Sequence, residues 1–207
     1  MPIKIEEMIT KYFLGLTFYS DNSFARSIEN FRSRFDTKFH SNSNLHLALV
    51  PSFEIEANDS KKITQELIEE LESFFFENTT YQTLEFTGID VHEYKKNKIL
   101  FLNPALGEEL SLCQESLLSI CKSYRVDKNT KFKNEKSFLT IGRFQDPIEL
   151  HNAIELAQTE FNEKKSLPFK SICLYSKNKG VWHKEMDLIQ FEKPNSLIKN
   201  SGGMDNA

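Results

Sequence analysis

Two short apolar runs each carry one side chain that could do chemistry. In residues 44–51, NLHLALVP, it is His46; in residues 135–144, EKSFLTIGRF, it is Thr140. An imidazole titrates close to neutral pH and can take up or release a proton. A hydroxyl can hydrogen-bond a charged oxygen. Plainer roles are open for both: His46 as a strand histidine satisfied by a neighbour, and Thr140 as a good strand former. His40, His92, His151 and His183 have no partner at metal-ligand spacing, so they read as surface or structural and no metal is expected. The glycines form no phosphate-binding loop, and no serine elbow or Cys/His signature is present.

Side chains alternate across a strand, which places these residues on faces. Leu45, Leu47 and Leu49 face one way, and His46, Ala48 and Val50 the other. In the second run Leu139 and Ile141 share a face with Arg143, while Phe138, Thr140, Gly142 and Phe144 share the opposite one. The Leu/Ile faces suit packing under helices. The other faces carry the polar and small side chains that would line an open cleft. Phe138 is either core or an aromatic cleft floor able to stack on a base. Arg143 is either a structural ion pair at the strand end or a phosphate contact.

The elements that must position them are legible as periodicities. Residues 12–19, YFLGLTFY, read as a strand. Phe24, Ile28, Phe31 and Phe35 form a helical stripe, with residues 21–23 as cap candidates. A strand follows at 45–50, then a helix over about 59–77 carrying Ile63, Leu67, Leu71 and Phe74. Residues 83–93 and 99–102 read as a hairpin around Lys95-Lys96-Asn97-Lys98, whose charges suit a solvated tip. The same order then repeats. Leu110, Cys113, Leu117, Ile120 and Tyr124 make a helix, and 137–144 a strand. Asp146-Pro147-Ile148-Glu149 opens another helix, and 170–176 with 181–191 closes as a hairpin. The fold class predicted is α+β and bilobal: two mainly antiparallel sheets flanked by helices, with a central cleft. Residues 1–191 would form one domain and 192–207 a flexible tail.

A net charge of −4 argues against a partner such as a DNA duplex, and no run is apolar enough to suggest a membrane span. Cys113, Cys121 and Cys173 lack CxxC spacing and read as buried apolar residues of a reducing cytoplasm. A cytoplasmic monomer is the expectation.

The paired strands, the "TIGR" after the second of them and the late "SICLYS" strand resemble the 2H phosphoesterases, which include 2′-5′ RNA ligase-like and cyclic nucleotide phosphodiesterase proteins. The resemblance spans residues 12–191. It implies two His-x-Thr/Ser motifs facing one another across a cleft. One histidine would accept a proton from the attacking hydroxyl and the other would donate one to the leaving oxygen. The hydroxyls would hold the phosphate, and neither cofactor nor metal would be needed. On these positions the first motif is His46-Leu47-Ala48, with the hydroxyl missing. The second is Phe138-Leu139-Thr140, with the histidine missing, followed by the family's Gly142 and Arg143.

Loss of a general acid or base costs about 10²–10⁴ in rate. Loss of a charge-stabilising donor costs about 10²–10³. The expectation is a degenerate site that binds a small nucleotide or short RNA end with weak or no phosphodiesterase activity. His46 and Thr140 would be its catalytic-type residues, and Ala48, Phe138, Gly142 and Arg143 its ligand-binding ones. An active phosphodiesterase on 2′,3′-cyclic phosphates or 2′-5′ linkages would need His46 plus a substitute acid: Lys136, Tyr19, His151 or His183. A protein-interaction module that keeps only the fold is the third possibility.

Overall fold

Along β1 (Ile9–Phe18), Leu14, Leu16 and Phe18 enter the main core, while Phe13 faces away into a separate cluster with Cys173 and Tyr175. This alternation organises the molecule. The computed structural model describes residues 9–41, 44–75, 82–94, 97–127 and 136–193. The Lys95-Lys96 tip and the tail beyond residue 193 lie outside the described residues.

After β1 come α1 (Ser23–Phe35), β2 (His46–Glu56), α2 (Ser60–Phe75), β3 (Thr83–Tyr94), β4 (Asn97–Ala105), α3 (Glu108–Tyr124), β5 (Leu139–Phe144), α4 (Pro147–Glu160), β6 (Lys165–Asn178) and β7 (Val181–Gln190). Local chemistry sets several boundaries. The Asn22 side chain accepts from the Phe24 and Ala25 amides, capping α1, and Asp146 accepts from Ile148, capping α4 ahead of Pro147. The β6–β7 turn places Lys179 (φ 47°) and Gly180 (φ 87°) in the left-handed region, as a tight two-residue hairpin requires.

The seven strands pair antiparallel in the order β2-β1-β6-β3-β4-β5, with β7 on β6. The fourteen-residue β6 belongs to both halves: residues 165–168 pair with β3, residues 169–176 with β1, and residues 171–178 with β7. Helix α3 packs on β2 and α2 on β7, while α1 packs on β5 and β6 and α4 on β3, β4 and β5.

The predicted order of elements holds. The two halves are nevertheless not consecutive stretches of chain. The β3–β4 hairpin leaves β2 and joins β5, and the β6–β7 hairpin leaves β5 and joins β1. Periodicity defines elements; pairing partners come from non-local burial, which a local pattern does not carry. The predicted cysteine burial also holds, but Cys173 does more than fill space, as described below.

Candidate functional site

Strands β2 and β5 stand at opposite ends of the strand order, yet side chains tie them together. Ser137, at the entrance to β5, donates to the Ala48 carbonyl at 2.8 Å. Gln114 on α3 donates to the Leu49 carbonyl and to the Ser137 hydroxyl, both at 2.8 Å. Further along, Arg143 pairs with the Asp36 carboxylate just past α1, and a parallel bridge joins the same two residues. The Asp36 side chain is fully buried; Arg32 Nη2 lies 3.7 Å from it and the Lys38 amide donates to it at 3.0 Å. Of the two roles open for Arg143, the structure shows the ion pair.

His46 begins β2. Its Nδ1 lies 2.8 Å from the Asn44 carbonyl, so this nitrogen carries the proton and Nε2 keeps the lone pair. The ring is half-buried against Phe13 (centroids 5.1 Å) and Tyr175 (5.8 Å). Burial is the main reason its pKa falls from 6.5 to about 4. The Asn44 carbonyl opposes that fall, the positive charges of Arg32 and Arg143 add to it, and Asp36 opposes it. At neutral pH His46 is therefore a neutral imidazole, able to accept a proton and not to donate one.

Phe13 and Tyr175 stack in parallel at 4.5 Å, and Trp182 meets Phe13 edge-on at 4.7 Å. Gly15 makes this possible: a Cβ there would lie 3.1 Å from each of the two stacked rings. Gly15 pairs with Ala48 across the β1–β2 ladder. The stack thus stands beside the position where the first motif lacks its hydroxyl.

In the other half Thr140 is half-buried on β5, opposite Phe101. Among the described residues its hydroxyl has no hydrogen-bond partner. Phe138 packs on Phe101 (centroids 4.8 Å) and lies 6.2 Å from the ring of His92 on β3. His92, expected to be surface or structural, thus brings an imidazole beside the position of the missing second histidine. Nothing local signals it, because β3 reaches this position only through the exchanged hairpin. Gly142 is buried under the Phe144 ring and the Phe35 carbonyl. A Cβ there would meet that ring at 2.7 Å, so its smallness serves packing. A register shift in β4 between Leu100 and Phe101 separates the surroundings of Gly142 from those of Thr140.

The proposed substitute acids have surroundings of their own. The Tyr19 hydroxyl donates to the Phe191 carbonyl at 2.9 Å. His151 sits on α4 beside Glu155, and His183 pairs across β6–β7 with Ser176. Lys136 lines a separate pocket of about 380 Å³ with Asn103, Gln114 and Ser137.

A polar chain runs under the aromatic cluster. Thr17, opposite His46 on β1, meets the Ser171 hydroxyl at 2.8 Å; Ser171 lies 3.1 Å from the Cys173 sulfur; and Cys173 donates to Asp187 at 3.1 Å. Lys184 pairs with Asp187 at 2.6 Å. Burial pushes the Asp187 carboxyl up, but hydrogen bonds from Lys184, Ser171 and Cys173 outweigh this and bring it down to about 2. Burial pushes the Cys173 thiol up, so it stays a protonated donor. Next to this chain lies a pocket of about 490 Å³, reached from Asn44, Leu45, Thr17, Tyr175 and Lys184. Among the described residues no cluster of His, Cys, Asp and Glu could hold a metal ion, and no helix is long and apolar enough to cross a membrane.

The sequence profile of the 2′-5′ RNA ligase superfamily matches residues 20–181. The chain belongs to this superfamily. The fold of this 2′-5′ RNA ligase superfamily member is similar to a crystal structure described as a phosphoesterase (13% identity, 86% of this chain and 94% of that one, TM-score 0.51). It is also similar to Usb1 of Kluyveromyces marxianus (15% identity, 86% and 97%, TM-score 0.50). LigT of E. coli, solved with phosphate, aligns over 85% of this chain and 93% of its own at 13% identity and a TM-score of 0.48. A comparison with curated protein sequences returns no match.

Proposed function

We propose that this superfamily member binds a small nucleotide or a short RNA end between β2 and β5, with weak or no phosphodiesterase turnover. One observation carries this reading: each half-motif keeps one functional group, and aromatic rings pack beside the residue that replaces the other. His46 can act as a base, but Phe138, which packs on Phe101, has no proton to donate. The Thr140 hydroxyl is available to a phosphate oxygen, but Ala48 lies beside the Phe13–Tyr175 stack with nothing to donate. Phe138, half-buried just before β5, offers a ring face to a base, at about 1–3 kcal/mol per stacked base.

The test is calorimetric titration of adenosine 3′-monophosphate into wild type, His46→Ala and Thr140→Ala. Binding in wild type that weakens about tenfold in Thr140→Ala, the loss of one charge-assisted hydrogen bond, with a smaller change in the neutral His46→Ala, supports the reading. Binding of equal strength in all three removes it.

A second reading is favoured by His92, whose ring stands 6.2 Å from that of Phe138. In it, residual phosphodiesterase activity uses His46 as base and His92 as a displaced proton donor.

A further inference from the structure

The pocket of about 490 Å³ beside His46 has a buried cation in its wall. Its lining includes Arg32, Lys170 and Lys184, the acid Glu29, and the rings of Phe18, Phe39 and Tyr175. Arg32 is only 4% exposed. Its Nη1 donates to Glu29 at 2.9 Å, Nη2 lies 3.7 Å from Asp36, and the guanidinium stands over the Phe39 ring at 5.7 Å. Among the described residues its Nε, although buried, has no hydrogen-bond partner. A buried donor left unmade costs about 1–3 kcal/mol, and natural proteins keep few of them. Lys170 adds a cation with no carboxylate partner among the described residues. The pocket volume lies within the range of about 300–1,000 Å³ usual for small-ligand sites, and its ring-lined wall suits a nucleoside.

Its position limits what it can hold. Asn44 and Leu45 of the lining lead directly into His46, and Thr17 pairs with His46 across the ladder. Tyr175 belongs to both places, lining the pocket and standing 5.8 Å from the His46 ring. A group in the pocket and a group at His46 can therefore belong to one molecule.

We infer that the pocket takes a second phosphate of the ligand whose first phosphate sits between β2 and β5 at the Thr140 hydroxyl. The ligand class is then a nucleoside carrying phosphates at two positions, as a nucleotide within or at the end of an RNA strand does. Arg32 and Lys170 hold the second phosphate by charge-assisted hydrogen bonds, and Lys184 contributes from its pair with Asp187. This inference rests on the nucleotide-binding reading and narrows it.

The test compares adenosine 3′,5′-bisphosphate with adenosine 3′-monophosphate by calorimetry, on wild type, Arg32→Gln and Lys170→Gln. The expected result is about tenfold tighter binding of the bisphosphate by wild type, with the ratio falling towards one in both variants. Lys170 is exposed, so if Arg32→Gln fails to fold, Lys170→Gln decides alone. Equal affinity for the two ligands in wild type overturns the inference and leaves the nucleotide-binding reading in place. An unchanged ratio in Lys170→Gln overturns it as well, because the extra phosphate would then be held elsewhere. Failure of both ligands to bind overturns both readings.

Discussion

Ser137 donates its hydroxyl proton to the carbonyl of Ala48 at 2.8 Å. This contact joins the two strands farthest apart in the strand order, the one that carries His46 and the one that carries Thr140. It is buttressed by Gln114, which is itself buried and reaches both partners' neighbourhoods. Gln114→Leu leaves the Leu49 carbonyl and Ser137 short of a donor. The expected loss is about 2–3 kcal/mol by urea denaturation, from buried polar groups left unpaired. A loss no greater than that of an exposed Gln65→Leu control would mean that β2 and β5 are held together by other means.

The Asp36 carboxylate is buried between two guanidinium groups. Asp36→Asn leaves Arg143 uncompensated and Arg32 with Glu29 alone, and the expected destabilisation is about 3–5 kcal/mol. Arg143→Met/Asp36→Asn together should cost less than the sum of the single changes in a double-mutant cycle. Additive losses would show that the pair contributes nothing as a pair.

His46 supplies a pH dependence with a defined sign. Its pKa in the folded protein, about 4, is below the usual 6.5. The unfolded chain therefore takes up the proton first, and folding stability falls as pH drops through this window. The contribution is fully present above pH 6.5 and is lost towards pH 4. Melting curves of wild type and His46→Gln should diverge in slope over that interval, with the variant less pH-sensitive. Parallel curves would mean that His46 is protonated as easily in the fold as in water.

Gly15 and Gly142 both lie against aromatic rings. Gly15→Ala puts a methyl 3.1 Å from Phe13 and Tyr175, and Gly142→Ala puts one 2.7 Å from Phe144. Each should destabilise by about 1–3 kcal/mol, the usual cost of overpacking. Gly142→Ala should be the worse, and Gly15→Ala should also alter the near-ultraviolet circular dichroism of the Phe13–Tyr175–Trp182 cluster. An unchanged aromatic signal in Gly15→Ala would contradict the packing described over that glycine.

Much of this architecture could be read before the structure, and the reasons differ by residue. The caps Asn22 and Asp146, the stripe Phe24–Ile28–Phe31 and the alternation in LHLALV are local, so periodicity and capping chemistry reveal them. The half-motifs His46-x-Ala48 and Phe138-x-Thr140 were legible because each lies within three consecutive residues. What escaped was non-local. The exchange of the two hairpins, the proximity of His92 to Phe138 and the Asp36–Arg143 pair all depend on chain segments far apart in sequence. Cys173 looked like a small apolar residue in an apolar strand. Its donation to Asp187 depends on β7 lying alongside.

If wild type retains slow hydrolysis of 2′,3′-cyclic nucleotides, the acid must come from elsewhere than position 138. His92→Gln should then remove about 10²-fold or more of the remaining rate, the usual value of a proton donor. A rate unchanged in His92→Gln would exclude the displaced-histidine reading.

The most direct measurement restores both missing groups. Wild type and the Phe138→His/Ala48→Thr double variant are incubated with 2′,3′-cyclic AMP and product formation is followed by chromatography, with circular dichroism confirming that both are folded. The account predicts wild type at or near the blank and a double variant faster by about 10²-fold or more. A folded double variant that stays inert, or a wild type that already turns over as fast, would contradict it.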